Sequence, residues 1–127
     1  MIIDVVKEKV YVPEWNGNRE LPEEEQIKVT HRFLSPTERK KYYNHEIDSD
    51  YKVQPKLDPG GHARAVITKI ENLSINIGGA AKPIRTGADL YTTNGVPWRL
   101  TDEIETYLVK EDAEADTNPL QQPSPST

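Results

Sequence analysis

Gln26-Ile27-Lys28-Val29-Thr30-His31-Arg32-Phe33-Leu34-Ser35-Pro36-Thr37-Glu38 holds two kinds of order back to back. In its first half Ile27, Val29, His31 and Phe33 alternate with Lys28, Thr30 and Arg32. That period of two puts one set on each face of a β-strand. In its second half Ser35 stands three residues before Glu38 with Pro36 between them. Ser35 can accept a hydrogen bond from the N–H of Glu38, and the Glu38 carboxylate can reach back to Ser35, closing a capping box. Pro36 suits the first helical position, where its missing N–H costs nothing. A strand passing directly into a helix indicates an α+β fold.

On the N-terminal side, Ile2 to Val12 is rich in β-branched residues, and Val10 and Val12 alternate with Lys9 and Tyr11 before Pro13, which suits an edge strand. Asn16-Gly17-Asn18 is a turn signal, since both residue types tolerate positive φ. The two strands are expected to form an antiparallel hairpin with a long connection. On the C-terminal side the helix from Pro36 to Asn44 is short and charged. Residues 44–61 carry little pattern, with Pro55 and Asp58-Pro59-Gly60-Gly61 as breakers, and read as a loop with a short strand around Tyr51 to Val53. His62 to Leu73 fits both helical spacing and a β-branched run, with helix preferred. Gly78-Gly79 marks a turn, and Thr86 with Asp89 resembles a cap ahead of Leu90 and Tyr91. Leu100, Ile104, Tyr107 and Leu108 form the apolar stripe of a last helix opening near Pro97, with Glu103 and Glu105 outside the stripe.

Composition sets bounds on this outline. The chain has 127 residues, the size of one domain, and only 35% are hydrophobic, with a single Phe and a single Met. The core must come from Val, Ile, Leu and the Tyr and Trp rings. Of the net charge of −5, residues 111–127 contribute −4 through Glu111, Asp112, Glu114 and Asp116. The rest is close to neutral and lacks the basic footprint of a nucleic-acid binder. The acidic stretch passes into Pro123-Ser124-Pro125-Ser126-Thr127. A disordered tail over 111–127 is therefore expected, behind a small α+β domain of residues 1–110 in which the hairpin packs with a few short helices. No cysteine is present, which removes disulfides, thiolate metal sites and cysteine nucleophiles. Asp4, Lys7, Glu8 and Lys9 interrupt the N-terminal apolar residues, so no signal peptide is read there. No apolar run approaches the about 20 residues that span a bilayer. A cytoplasmic location without membrane contact is expected.

The chemistry-bearing residues fall short of a catalytic or metal site. His31 lies on the presumed apolar strand face and reads as a packed histidine. His45, Glu46, Asp48 and Asp50 form the best oxygen-rich cluster, but the glycine and distal Glu of a calcium loop are missing, so a solvated acidic loop is expected. His62 has no evident partner. Gly60-Gly61 and Gly78-Gly79 lack the surroundings of phosphate loops, and no Ser or Thr has a His and a carboxylate in a nucleophile's setting. Arg39-Lys40-Lys41 reads as a solvated basic face. No enzymatic activity and no cofactor are expected. Trp15, Tyr42, Tyr43, Tyr91 and Trp98 fall in or beside loops, where aromatic rings serve as interface anchors, and are the expected partner-binding residues. The competing expectation is that the two Trp rings complete a small core.

The order of several segments carries a resemblance. These are Val12-Pro13-Glu14-Trp15-Asn16-Gly17-Asn18-Arg19-Glu20-Leu21, Gln26-Ile27-Lys28-Val29-Thr30, Leu34-Ser35-Pro36-Thr37-Glu38-Arg39, Ile70-Glu71-Asn72-Leu73 and Ile84-Arg85-Thr86-Gly87-Ala88-Asp89-Leu90. Over residues 1–110 this order resembles the tail assembly chaperones of long-tailed bacteriophages and prophages. The resemblance implies a non-enzymatic adaptor in the host bacterial cytoplasm. It would keep the tape measure protein soluble until tube subunits assemble around it. Separately, some of the five aromatic residues are expected to stay at the surface as an apolar patch that binds the partner and self-associates to a homo-oligomer when the partner is absent. The segment 44–61 departs from the family's more continuous helix. A structural tail or connector subunit retained in the virion and a small metal-binding protein are the alternatives.

Overall fold

A computed structural model describes residues 1–3, 7–47 and 49–117. It is a mixed α+β arrangement of three small antiparallel sheets and several helices. The central sheet has the order β1-β2-β5, from β1 (Lys9–Tyr11), β2 (Lys28–His31) and β5 (Ile67–Glu71). Its middle strand shows the expected alternation. Val29 and His31 are buried while Lys28 and Thr30 are half-exposed. The register pairs Val10 with Thr30 on one side and Val29 with Ile70 on the other.

The long β1–β2 connection winds through 3-10 turns at Trp15–Glu20 and Glu23–Glu25. Asn16 and Gly17 have φ of 52° and 75°, the left-handed region that Asn and Gly adopt at low cost. Asn18 does more than turn the chain. It is buried, its Nδ2 donates to the carbonyls of Pro13 and Ile27 at 2.8 and 3.1 Å, and its Oδ1 accepts from Ile27 N–H at 2.7 Å. One side chain thereby replaces the ladder bonds that the two loop arms cannot give each other.

Helix α1 (Pro36–Tyr42) starts with the complete capping box: Ser35 Oγ accepts from Glu38 N–H at 3.2 Å and Glu38 accepts from Ser35 N–H at 2.9 Å. Glu38 also receives two bonds from the Arg32 guanidinium at 2.8 and 2.7 Å, which ties the helix start to the end of β2. That pairing, with the cap, holds the Glu38 carboxyl down at about 2. Replacing Ser35 by Ala is expected to cost about 1 kcal/mol, read as a lower urea midpoint at unchanged slope. An unchanged midpoint would mean that the cap contributes nothing to folding.

Two internal segments differ from the sequence expectation. Residues 44–61 are not a loop. They supply an antiparallel hairpin of β3 (Tyr43–Ile47) and β4 (Val53–Leu57), whose proline lies on an edge strand where no ladder donor is lost. The Asp58-Pro59-Gly60-Gly61 breaker is the start of α2 (Pro59–Val66), with the Asp58 side chain accepting from Gly61 N–H at 2.9 Å and Pro59 in the first turn. The helix preferred for 62–73 is correspondingly half right. It ends at Val66, and the chain goes straight into β5, because Ile67 and Ile70 complete the sheet against β2.

A second hairpin, β6 (Ser74–Ile77) and β7 (Ala80–Pro83), turns at Gly78 and Gly79, both at positive φ. Helix α3 (Gly87–Thr92) follows, with Thr86 Oγ accepting from Asp89 N–H. Gly87 lies so close to α2 that a Cβ there would sit 2.7 Å from the Arg64 carbonyl oxygen. Helix α4 (Trp98–Thr117) buries Leu100, Ile104 and Leu108 in one core with Val29, Val66, Ile70, Ile84 and Leu90.

The boundary expected after Lys110 falls inside α4. Its acidic residues do not dissolve the helix, because the fold brings cations to them. Glu111 pairs with Lys9 at 3.0 Å, and Asp112, buried, accepts from Arg39. The rest of the expected tail, residues 118–127, lies outside the described residues.

Candidate protein-binding surface

The five aromatic residues singled out from the sequence do not form one patch. Trp15 is half-buried against the core, and its N–H donates to Glu103 at 2.9 Å. The three tyrosines gather around the start of α2. Tyr42 presses on Gly61, where a Cβ would meet its ring at 2.7 Å, and Tyr91 lies 3.5 Å from the corresponding point on Gly60. The Tyr43 hydroxyl and His62 Nδ1 are hydrogen-bonded at 2.7 Å, with the rings edge to face. Tyr91 donates to Glu105 at 2.6 Å. Burial raises both hydroxyl pKa values. The Tyr43 hydroxyl is pushed up to about 12, with the Asp112 carboxylate adding to the rise, and that of Tyr91 goes higher still with the help of Glu105. The Tyr43 and Tyr91 rings are held inward by their hydroxyls, and Tyr42 by its contact with Gly61. The glycines that read as breakers are the small surfaces that let them pack.

Trp98 is the exception. It is 68% exposed at the first turn of α4, with the Arg99 guanidinium 5.3 Å from its ring. Beside it, Val96 packs on the core, and Gly95 touches Ile75 of the β6–β7 hairpin, where a Cβ would meet Ile75 Cγ2 at 3.2 Å. Ile77, two residues along and on the same hairpin face as Ile75, is exposed. An exposed indole is an apolar surface of the kind that anchors interfaces.

Two features escaped the sequence reading. The first is the use of the α4 carboxylates. Glu103 accepts from Tyr11 Oη at 2.5 Å, Glu14 N–H at 2.7 Å and Trp15 N–H, so it clamps the N-terminal loop to the helix. Tyr11 in turn stacks on Tyr107, ring centroids 3.9 Å apart. The second is the β3–β4 arm. Cross-strand partners share a face, so Tyr43 with Leu57, His45 with Pro55 and Ile47 with Val53 line one side. Ile47, Val53 and Leu57 are 70%, 64% and 67% exposed.

His31 and His62 are both buried. His31 Nδ1 faces the Arg32 carbonyl at 3.1 Å and must carry the proton, which leaves Nε2 to accept from the Tyr107 hydroxyl at 2.8 Å. Burial lowers both imidazoles, His62 to about 4. Their contribution to stability is full above the unfolded value near 6.5 and is lost as pH falls through the folded one. The urea midpoint is expected to fall between about pH 6.5 and 4, and to fall less in His62→Asn. A flat midpoint through that window would place both imidazoles in water.

Among the described residues no three His, Cys, Asp or Glu side chains come together as a metal site. His45 is on the arm, and Asp48 lies outside the described residues. No helix among the described residues is long and apolar enough to cross a membrane. Comparison with family models, curated proteins and solved structures gives no match.

Proposed function

We propose that the chain is a non-enzymatic, protein-binding adaptor of phage tail morphogenesis, one that holds the tape measure protein soluble in the host cytoplasm before the tube assembles. The observation that carries the binding role is Trp98, a large indole left in water at the head of an otherwise well-packed helix. Leaving such an apolar surface exposed is costly, and it suits a residue that is covered in a complex. The tape measure enters through the resemblance of residues 1–110, since it is the long hydrophobic protein that such adaptors coat. Particles purified after assembly should then lack the chain. Its presence there would favour a structural tail subunit.

Co-expression tests the proposal. A candidate tape measure protein is expected in the soluble fraction with the parent chain and largely in the pellet with Trp98→Ala. The truncation should weaken binding by about 2 kcal/mol, roughly thirtyfold, while leaving the thermal midpoint of the adaptor in place. Equal solubility with both versions would remove Trp98 from the interface.

A further inference from the structure

We infer that Asn94 is a site of spontaneous deamidation, where the folded chain converts asparagine to aspartate and isoaspartate, and that the fold protects Asn16 from the same reaction. Asn-Gly occurs twice in the sequence, at Asn16-Gly17 and at Asn94-Gly95. In each pair the glycine nitrogen is the nucleophile and the side-chain amide carbon of the asparagine is the electrophile. Glycine puts no side chain in the way of this approach. Hydroxide takes the glycine N–H proton and the nitrogen bonds to the asparagine Cγ. The Cγ–Nδ2 bond breaks, and ammonia leaves with a proton from water, which regenerates hydroxide. Water then opens the cyclic imide. Opening at the bond to Cγ gives aspartate, and opening at the bond to the main-chain carbonyl carbon gives isoaspartate. Water is the only co-reactant, and nothing is oxidised or reduced.

The two sites differ in what ring closure must break. Both asparagines are exposed. At the first, the Gly17 N–H donates to the Glu14 carbonyl at 3.2 Å, so the nucleophile is engaged. Asn16 also has ψ of 35°, which turns the Gly17 nitrogen away from the Asn16 side chain. Its neighbours are anchored. Trp15 N–H donates to Glu103 at 2.9 Å, and the buried Asn18 side chain holds the carbonyls of Pro13 and Ile27. Closing the imide at Asn16 therefore requires local opening of a clamped loop. At Asn94 no such bond has to break. Thr93 is buried, with its N–H on the Asp89 carbonyl at 3.1 Å, but the Gly95 N–H makes no hydrogen bond among the described residues. Either product adds a negative charge, and isoaspartate lengthens the main chain between α3 and α4 by one methylene. The reaction involves no partner, so this inference stands or falls separately from the proposed function.

The folded full chain, incubated at mildly alkaline pH and then digested with trypsin, yields the peptides 10–19 and 86–99, which carry one Asn-Gly each. Mass spectrometry of the two follows both sites in one sample. The 86–99 peptide is expected to convert about tenfold or more faster than 10–19, with isoaspartate among its products. In chain held unfolded in urea the two should convert at similar rates. Asn94→Ser should remove most of the acidic form that accumulates on isoelectric focusing of the parent. A folded chain whose 86–99 peptide stays intact, or converts no faster than 10–19, would overturn the proposal. So would an acidic form that accumulates undiminished in Asn94→Ser.

Discussion

Ile104→Ala is expected to remove about 3 to 4 kcal/mol of folding stability, the largest loss foreseen for a single substitution in this chain. Ile104 is 1% exposed and lies between Leu100 and Leu108 on the buried stripe of α4, in an aliphatic core with Tyr and Trp rings packed against it. Truncation to Ala leaves a void that no neighbouring Met or Phe can fill. Urea unfolding measures the loss directly, with an unchanged slope showing that the midpoint moved for thermodynamic reasons. Val109→Ala, on the exposed side of the same helix, serves as the comparison and should change little. A loss below about 1 kcal/mol for Ile104→Ala would contradict the packing of α4 on the sheet.

Glu103→Ala comes next, at about 2 to 3 kcal/mol. Glu103 accepts from one hydroxyl and two backbone N–H groups of the Tyr11–Trp15 segment, and its removal leaves three donors to find water in a half-buried seam. Tyr11 stacks on Tyr107, so loosening this segment also disturbs the ring pair that covers His31. Glu103→Gln should fall between, because the amide keeps one acceptor but turns a second donor toward the N–H groups. Thermal and urea unfolding of both variants measure the order. Equal stability of parent and Glu103→Ala would mean that the clamp is replaced by solvent at no cost.

How far these features could be read in the sequence depended on whether the causes were local. The β2 alternation, the Ser35–Glu38 box, the Gly78-Gly79 turn and the α4 stripe all rest on residues within a few positions of one another, and each stands in the structure as read. The Val66–Ile67 junction was ambiguous because helix and strand patterns overlap there, and pairing with a strand nearly forty residues earlier decides it. The arm was hidden by Pro55 and by acidic residues near its turn, although one of its faces is apolar and aromatic apart from His45. Glu111 and Asp112 looked like the start of a tail because their cations, Lys9 and Arg39, are distant in sequence.

The candidate surface was less legible for the same reason. Tyr42, Tyr43 and Tyr91 looked available because they flank loops, but Gly60, Gly61, His62 and Glu105 draw them inward. Trp98 lacks such a hook on its indole nitrogen among the described residues and stays at the surface.

The most direct measurement of the binding role uses Trp15→Phe, which leaves Trp98 as the one indole. Its fluorescence should be long in wavelength and freely quenched by iodide in the isolated protein. It should shift to shorter wavelength and lose its quenching in a complex co-purified with the tape measure protein. An emission and quenching constant unchanged by that complex, or no complex at all, would contradict the account.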